Sequence, residues 1–96
     1  MDLKPGSIIW VPCEVKPGPF SNERLVRVQS SGESWVGFVD VRCLKDTVQE
    51  GPTSVRARVV SVEKESFTAE LPGHSVAASR FFHGSRSNVT LAPLPA

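Results

Sequence analysis

Side chains that carry acid–base chemistry are scarce in this sequence. Tyrosine is absent, and the only histidines are His74 and His83. An enzymatic nucleophile needs a base that a third group holds in place, and neither a GxSxG elbow nor a Cys–His signature occurs. Glycine loops of the GxGxxG or GxxxxGK type, which cradle phosphates, are also missing. We therefore expect no catalytic activity and no cofactor.

Cysteine is almost as rare. Cys13 and Cys43 are 30 residues apart, which fits neither a CxxC redox pair nor a disulfide framework. Together with His74 and His83 they make four potential zinc ligands, but the spacing matches no structural zinc motif, so we expect no metal site. Both cysteines lie in apolar, strand-like stretches, which predicts two buried thiols.

Long apolar runs and a strong charge imbalance are missing as well. No run approaches the roughly 18 residues that a membrane helix needs, and residues 1–6 lack the apolar segment of a signal peptide. We expect an intracellular protein without a membrane partner, in either cytoplasm or nucleus. Eleven Lys and Arg face ten Asp and Glu, for a net charge of +1, so nucleic acid is not the first partner to expect.

The composition is that of one small globular domain. Hydrophobic residues make up 40% of the 96 positions and charged residues 22%, and the apolar residues are spread along the whole chain. We expect a single domain over residues 1–96, with flexible ends at residues 1–6 and 92–96. Whether the chain is part of a longer protein is left open.

Eight prolines and seven glycines divide the chain into short, valine-rich pieces without a helical period, which predicts an all-β fold. Pro12 lacks the N–H that a central strand donates, which predicts an edge or bulged first strand. The apolar phase slips between Val59 and Val60, which predicts a β-bulge. The predicted strands cover residues 7–15, 24–29, 34–44, 54–63, 66–71, 74–82 and 88–91.

The two halves of the chain share one order of elements: strand, break, strand, turn, strand. In this alignment residues 7–15 correspond to 54–62, residues 25–28 to 67–70, and residues 34–40 to 75–81. Such an arrangement closes into a small antiparallel barrel of about five to six strands, or into two sheets packed on one core. We expect the barrel.

One segment resembles a known superfold. Residues 59–71, with the sequence VVSVEKESFTAEL, are similar to a hairpin of the SH3-like barrels of the Tudor and KOW type, and Trp10-Val11-Pro12 adds a weaker likeness. Domains of that superfold bind methylated peptides, proline-rich peptides or RNA. The resemblance therefore implies an SH3-like barrel and a binding module without choosing the ligand.

Aromatic side chains suggest a binding site for a protein or peptide. By alternation, Trp10 and Phe38 point away from the core, and Phe20 lies in a proline-rich loop. With Phe82 they are candidates for a cage around a methylated side chain or for a groove that holds a proline-rich peptide, and Asp40 is the acidic neighbour. The alternative is that these rings fill the core or cap the barrel.

Arginines on the predicted strands suggest a second function. Arg27, Arg42, Arg56 and Arg58, together with Arg24, form a candidate stripe for RNA or single-stranded DNA. Acidic side chains on the same strands favour a charge-mixed, solvated face instead. The expected function is thus a non-enzymatic protein- or peptide-binding module within a larger protein or complex, with nucleic-acid binding as the alternative. An oligomerisation domain is a third possibility.

Overall fold

The computed structural model describes residues 3–30, 33–75 and 80–92. Strands make up 62% of these described residues, and none of them lies in an α-helix, which confirms the all-β prediction. Two single-turn 3-10 helices cover Val41–Cys43 and Arg86–Asn88. The strands are β1 (Ile8–Pro17), β2 (Glu23–Ser30), β3 (Glu33–Asp40), β4 (Gly51–Val62), β5 (Ser66–Glu70), β6 (His74–Ser75), β7 (Phe81–Ser85) and β8 (Thr90–Leu91).

The strands form one antiparallel, nearly closed barrel, as predicted. Their order is β6-β3-β2-β1-β4-β5-β7, with β8 beside β1. This order is symmetric about the β1–β4 pair, because the meander β1-β2-β3 lies on one side and β4-β5-β7 on the other. The first two correspondences between the predicted halves agree with it. The third does not, because β7 begins at Phe81, where the aligned segment 75–81 ends.

Alternation along the strands decides which side chains form the core. In β1, the side chains of Ile9, Val11, Cys13 and Val15 are buried, and the intervening positions face outward. The same period of two holds in the other long strands, as predicted. The remaining buried apolar side chains on strands are Val26, Val28, Trp35, Val39, Val55, Ala57, Val59, Phe67, Ala69 and Phe82.

Pro12 does not mark an edge strand, so the first alternative of that prediction is wrong. Strand β1 is central, since β4 pairs with it over Ile8–Val15 and β2 pairs with it over Glu14–Pro17. The carbonyl of Ile8 accepts from Ala92 on the β8 side, so by alternation the backbone groups of Pro12 also point away from β4. No residue pair joins β1 to β2 or β8 at Pro12. The missing N–H therefore removes no hydrogen bond from the β1–β4 ladder.

The strand predicted to run to residue 44 stops at Asp40. The Asp40 carboxylate accepts from the backbone N–H of Arg42 at 2.8 Å and caps the short 3-10 turn. The predicted strand 74–82 is also wrong in part. Strand β6 pairs with β3, whereas β7 pairs with β5, and Val76 and Ala78 lie outside the described residues.

The predicted bulge and hairpin are both present. The β4–β5 register shifts between Val59 and Ser61, and the amide of Glu63 donates to the carbonyl of Ser66 at 2.8 Å. The chain then turns at Gly73, whose φ is +86°. A Cβ there would also overlap the carbonyl oxygen of Phe38, so two constraints favour glycine at this turn.

Both ends of the described chain pack against the central strands. Leu3 is buried in the core, and the amide of Gly6 donates to the carbonyl of Val59 at 2.8 Å. At the other end, the amide of Ala92 donates to the carbonyl of Ile8 at 2.9 Å. The single-domain boundary and the flexible ends stay predictions.

Arg24 is buried, although the sequence suggested a surface stripe. It has the inward phase of Val26 and is only 4% exposed. Its guanidinium donates to the carbonyls of Val48, Ser21 and Glu23 at 2.8, 3.0 and 2.8 Å. Arg24 thus joins the β3–β4 loop to the β1–β2 connection, and it does so through backbone acceptors.

Replacing Arg24 with Met should lower the free energy of unfolding by about 2–3 kcal/mol, because three part-buried hydrogen bonds to a charged donor are lost. Arg27→Met is the matched control, because Arg27 lies three residues further along the same strand at an exposed position, and it should change the free energy of unfolding by less than about 0.5 kcal/mol. Urea unfolding followed by tryptophan fluorescence measures both. Equal effects of the two substitutions would contradict a structural role for Arg24.

Candidate functional site

A broad groove crosses the outer face of the first meander. It encloses about 690 Å³, within the usual range for ligand sites. We call it the outer groove. Strands β1, β2, β3 and β4 supply its lining, which consists of Pro12, Cys13, Glu14, Lys16, Leu25, Arg27, Gln29, Val36, Pro52 and Thr53.

The outer groove combines an apolar surface with charges of both signs. Leu25 and Val36 are half-buried although they face outward, and Pro12 and Pro52 are exposed. Glu14 lies directly opposite Arg27 across the β1–β2 pair, and Lys16 lies opposite Leu25. A partner with apolar side chains and both charges therefore matches this surface better than a polyanion does.

The outer groove adjoins a narrower opening where β1 and β2 separate. Pairing between β1 and β2 ends at Glu14 and Arg27, and β1 pairs with β8 at Ile9 and Trp10. The space between, which we call the inner cleft, encloses about 230 Å³. Pro12 and Gln29 line both spaces. The remaining residues of the inner cleft are Val11, Phe67, Phe82, Gly84, Ser85 and Val89.

Gly84 keeps room at the bottom of the inner cleft. A Cβ at this position would come within 2.8 Å of Cζ of Phe67 and 2.9 Å of Cε2 of Phe82. Both rings are buried, so neither can shift away without disturbing the packing of the core. The absence of a side chain at Gly84 therefore allows the two rings to take their places in the wall.

The predicted aromatic residues do not form one cluster. Trp10 faces outward on β1, and Phe38 faces outward on β3. Phe38 pairs with Leu25, which in turn pairs with Lys16, and Lys16 lies six residues beyond Trp10 on β1. At about 3.3 Å per residue this separates the two rings by about 20 Å along the strands. Phe20 is 66% exposed in the β1–β2 loop, whereas Phe82 is 2% exposed and reaches only the inner cleft.

Asp40 is engaged within the chain. Its carboxylate accepts from Nε of Arg42 at 3.1 Å and from Nη2 at 3.3 Å. These hydrogen bonds, with the backbone amide of Arg42, hold the pKa of Asp40 below its usual value. Asp40 thus forms an ion pair with Arg42. It also lies two strands away from Trp10, because Asp40 ends β3 and Trp10 is on β1.

The four arginines of the alternative site are also dispersed. Arg27 lies in the outer groove. Arg42 pairs with Asp40, and Nη2 of Arg58 lies 3.5 Å from Oε1 of Glu70. Arg56 and Arg58 share the outer face of β4 and line a separate pocket. No continuous stripe joins the four.

Sequence patterns alone did not identify the apolar residues of the outer groove. Leu25 and Val36 have the outward phase of their strands, so an apolar side chain at a position expected to be polar was the available signal. Pro52 pairs directly with Glu14, a neighbourhood that no local pattern reveals. Sequence periodicity places these residues on a face, but only the strand order brings them together.

No family model, curated protein or solved structure matches this chain. Within residues 3–30, 33–75 and 80–92, no group of three or more His, Cys, Asp and Glu side chains has the arrangement of a metal site. A helix long and apolar enough to cross a membrane is likewise missing from that part of the chain.

The two thiols differ in their surroundings, which corrects the prediction of two buried cysteines. Cys13 is buried, whereas Cys43 is half-buried, and both are free. Burial, with a smaller contribution from the charge of Glu14, raises the pKa of Cys13 to about 12. Since the thiolate is the reactive form, the raised pKa lowers the reactivity of Cys13 at neutral pH.

At pH 8, a disulfide reagent such as Ellman's should modify Cys43 first and Cys13 only after unfolding in urea. Release of the thiolate chromophore, followed with and without urea, measures both phases. In Cys43→Ser the fast phase should disappear. Rapid modification of this variant under native conditions would show that Cys13 is accessible.

The raised pKa of Cys13 also makes stability depend on pH. Above the ordinary thiol pKa of about 8.5, the unfolded chain loses a proton that the folded chain keeps. Stability should therefore fall between about pH 8.5 and 12, by up to about 1.4 kcal/mol per pH unit. Urea unfolding at pH 8 and pH 10 should show a smaller decrease for Cys13→Ala than for the unmodified chain.

Proposed function

We propose that this barrel is a non-enzymatic module that binds a peptide segment of a protein partner in the outer groove, as part of a larger protein or complex. One observation carries the proposal: a groove of about 690 Å³ shares Pro12 and Gln29 with a neighbouring cleft that the buried rings of Phe67 and Phe82 line. The groove offers length along a strand, and the cleft offers a place for one side chain.

The residues along this path suit an extended peptide. Leu25, Val36 and the two prolines provide an apolar floor, and Glu14 and Arg27 stand on opposite strands for charged side chains of either sign. Gln29 lies where groove and cleft meet. Its amide carries both a donor and an acceptor, which is what a peptide backbone requires.

The surroundings of His83 and Cys13 support the non-enzymatic proposal. Nδ1 of His83 lies 2.7 Å from Oγ1 of Thr68 on the outer face of the β5–β7 pair, remote in register from the outer groove. Cys13 borders the groove, but its thiol stays protonated at neutral pH. Neither side chain has the partners of an activated nucleophile or base.

The SH3-like resemblance fits the same proposal. The β4–β5 hairpin contains the segment that resembles Tudor and KOW domains, and a small barrel that binds peptides is common in that superfold. The rings expected to form a cage lie apart, so the proposed ligand contacts are the groove residues Pro12, Leu25, Arg27 and Val36, with Phe82 at the bottom of the inner cleft.

Leu25→Glu should abolish or weaken peptide binding at least about ten-fold, because it places a charge on the apolar floor. Leu91→Glu is the matched control, since Leu91 is 47% exposed on β8 and outside the groove. Peptides selected from a random display library on the unmodified domain are measured against both variants by fluorescence anisotropy, after circular dichroism confirms folding.

Equal binding by all three proteins would place the site elsewhere and overturn the proposal. The same assay with single-stranded RNA tests the nucleic-acid alternative. RNA binding that falls steeply with salt and exceeds every selected peptide in affinity would replace the peptide proposal, because phosphate contacts release counterions.

A further inference from the structure

A compact basic surface lies on the other half of the barrel. Arg56 and Arg58 face outward on β4, Glu70 faces outward on β5, and Arg80 immediately precedes β7. We call these four residues the arginine patch. Three arginines against one glutamate leave two positive charges here, whereas the whole chain carries a net charge of +1.

Glu70 shows where an oxyanion fits in the patch. Its Oε1 lies 3.5 Å from Nη2 of Arg58, and its Oε2 lies 3.1 Å from Nε of Arg80. Each carboxylate oxygen thus meets a different guanidinium. The arginine side chains are 58% and 66% exposed, and that of Glu70 is 29% exposed, so the guanidinium groups remain accessible to a second anion.

Arg56 adds a charge that Glu70 does not neutralise. It precedes Arg58 by two residues on the same face of β4, about 7 Å away. No carboxylate in the described part of the chain pairs with Arg56. Arg56 and Arg58 line a pocket of about 190 Å³ whose other walls include Ile8, Leu71 and Pro72. The excess charge therefore borders a concave surface with low-dielectric walls, where electrostatic attraction is stronger than on a flat surface.

We propose that the arginine patch binds a phosphate group of a ligand. Phosphate carries close to two negative charges at neutral pH, which matches the two charges left over in the patch. Guanidinium groups bind phosphate oxygens through paired N–H donors. This site is distinct from the outer groove, because no residue lines both and the outward-facing Pro52 and Arg56 are four residues apart on β4, about 13 Å.

The Phe81 ring strengthens the site on its open side. It is 44% exposed, and the guanidinium carbon of Arg80 lies 5.9 Å from the ring centroid. This distance allows a cation–π contact that restrains the long Arg80 side chain. A restrained guanidinium loses less conformational freedom when a phosphate binds.

Glu70 occupies part of this site and so competes with the phosphate. Glu70→Gln removes the competing charge while keeping the side chain's size, and it should raise the affinity for inorganic phosphate at least about three-fold. Arg58→Gln and Arg56→Gln should each lower it at least about three-fold. Arg27→Gln, an exposed arginine of the outer groove, should leave it unchanged.

Chemical-shift titration of the full chain with sodium phosphate at constant ionic strength measures these affinities and shows which amides respond. Shifts confined to β4, β5 and the start of β7, with the expected order of the variants, would support the site. Equal losses for Arg27→Gln and Arg58→Gln would mean non-specific attraction and would overturn it. An unchanged affinity in Glu70→Gln would do the same.

Three further ligands distinguish the source of the phosphate. Tighter binding of a phosphoserine peptide than of inorganic phosphate would indicate a modified side chain, and tighter binding of a mononucleotide would indicate a nucleotide. Equal binding of a glutamate peptide and the phosphoserine peptide would overturn the phosphate assignment. Failure of phosphate binding would leave the Leu25→Glu comparison intact, since that experiment uses the other half of the barrel.

Discussion

Strands β1 and β4 are the longest in the barrel, and the ladder between them determines where most other residues lie. Eight residue pairs join the strands, from Ile8 opposite Arg58 to Val15 opposite Gly51. Each strand then carries one meander on its free edge. Because side chains alternate, this register places Val11 and Val55 in the core and directs Pro12 and Arg56 outward. A shift by one residue would exchange the two faces along both strands.

Much of the fold follows from local patterns in the sequence. Alternation predicts the inward positions of β1, β2 and β5, and the phase slip after Val59 predicts the bulge, because each signal depends on neighbours along one strand. Other features depend on residues distant in sequence. The burial of Arg24 requires the carbonyl of Val48 from another loop, and a central β1 is possible only because the pairing to β2 and β8 is interrupted at Pro12. Local rules cannot supply such partners.

The candidate sites were less predictable than the fold for the same reason. Alternation correctly identified Trp10 and Phe38 as outward residues. It could not show that they lie two strands apart and six residues apart along the strand direction. The outer groove is made by four strands and the arginine patch by three segments of the other meander. Adjacency across strands, rather than residue type, makes each set a surface, and adjacency is a property of strand order.

The break at Pro12 has a kinetic consequence. A sheet that must open for a ligand spends part of its time closed, and the ligand then waits for hydrogen bonds to break. Here Pro12 has no backbone N–H to donate to β2 or β8. The opening beside it is therefore present without ligand. For the peptide proposed to bind here, entry of a side chain is then governed by encounter and by loss of bound water, and its association rate should rise in proportion to peptide concentration without reaching a plateau.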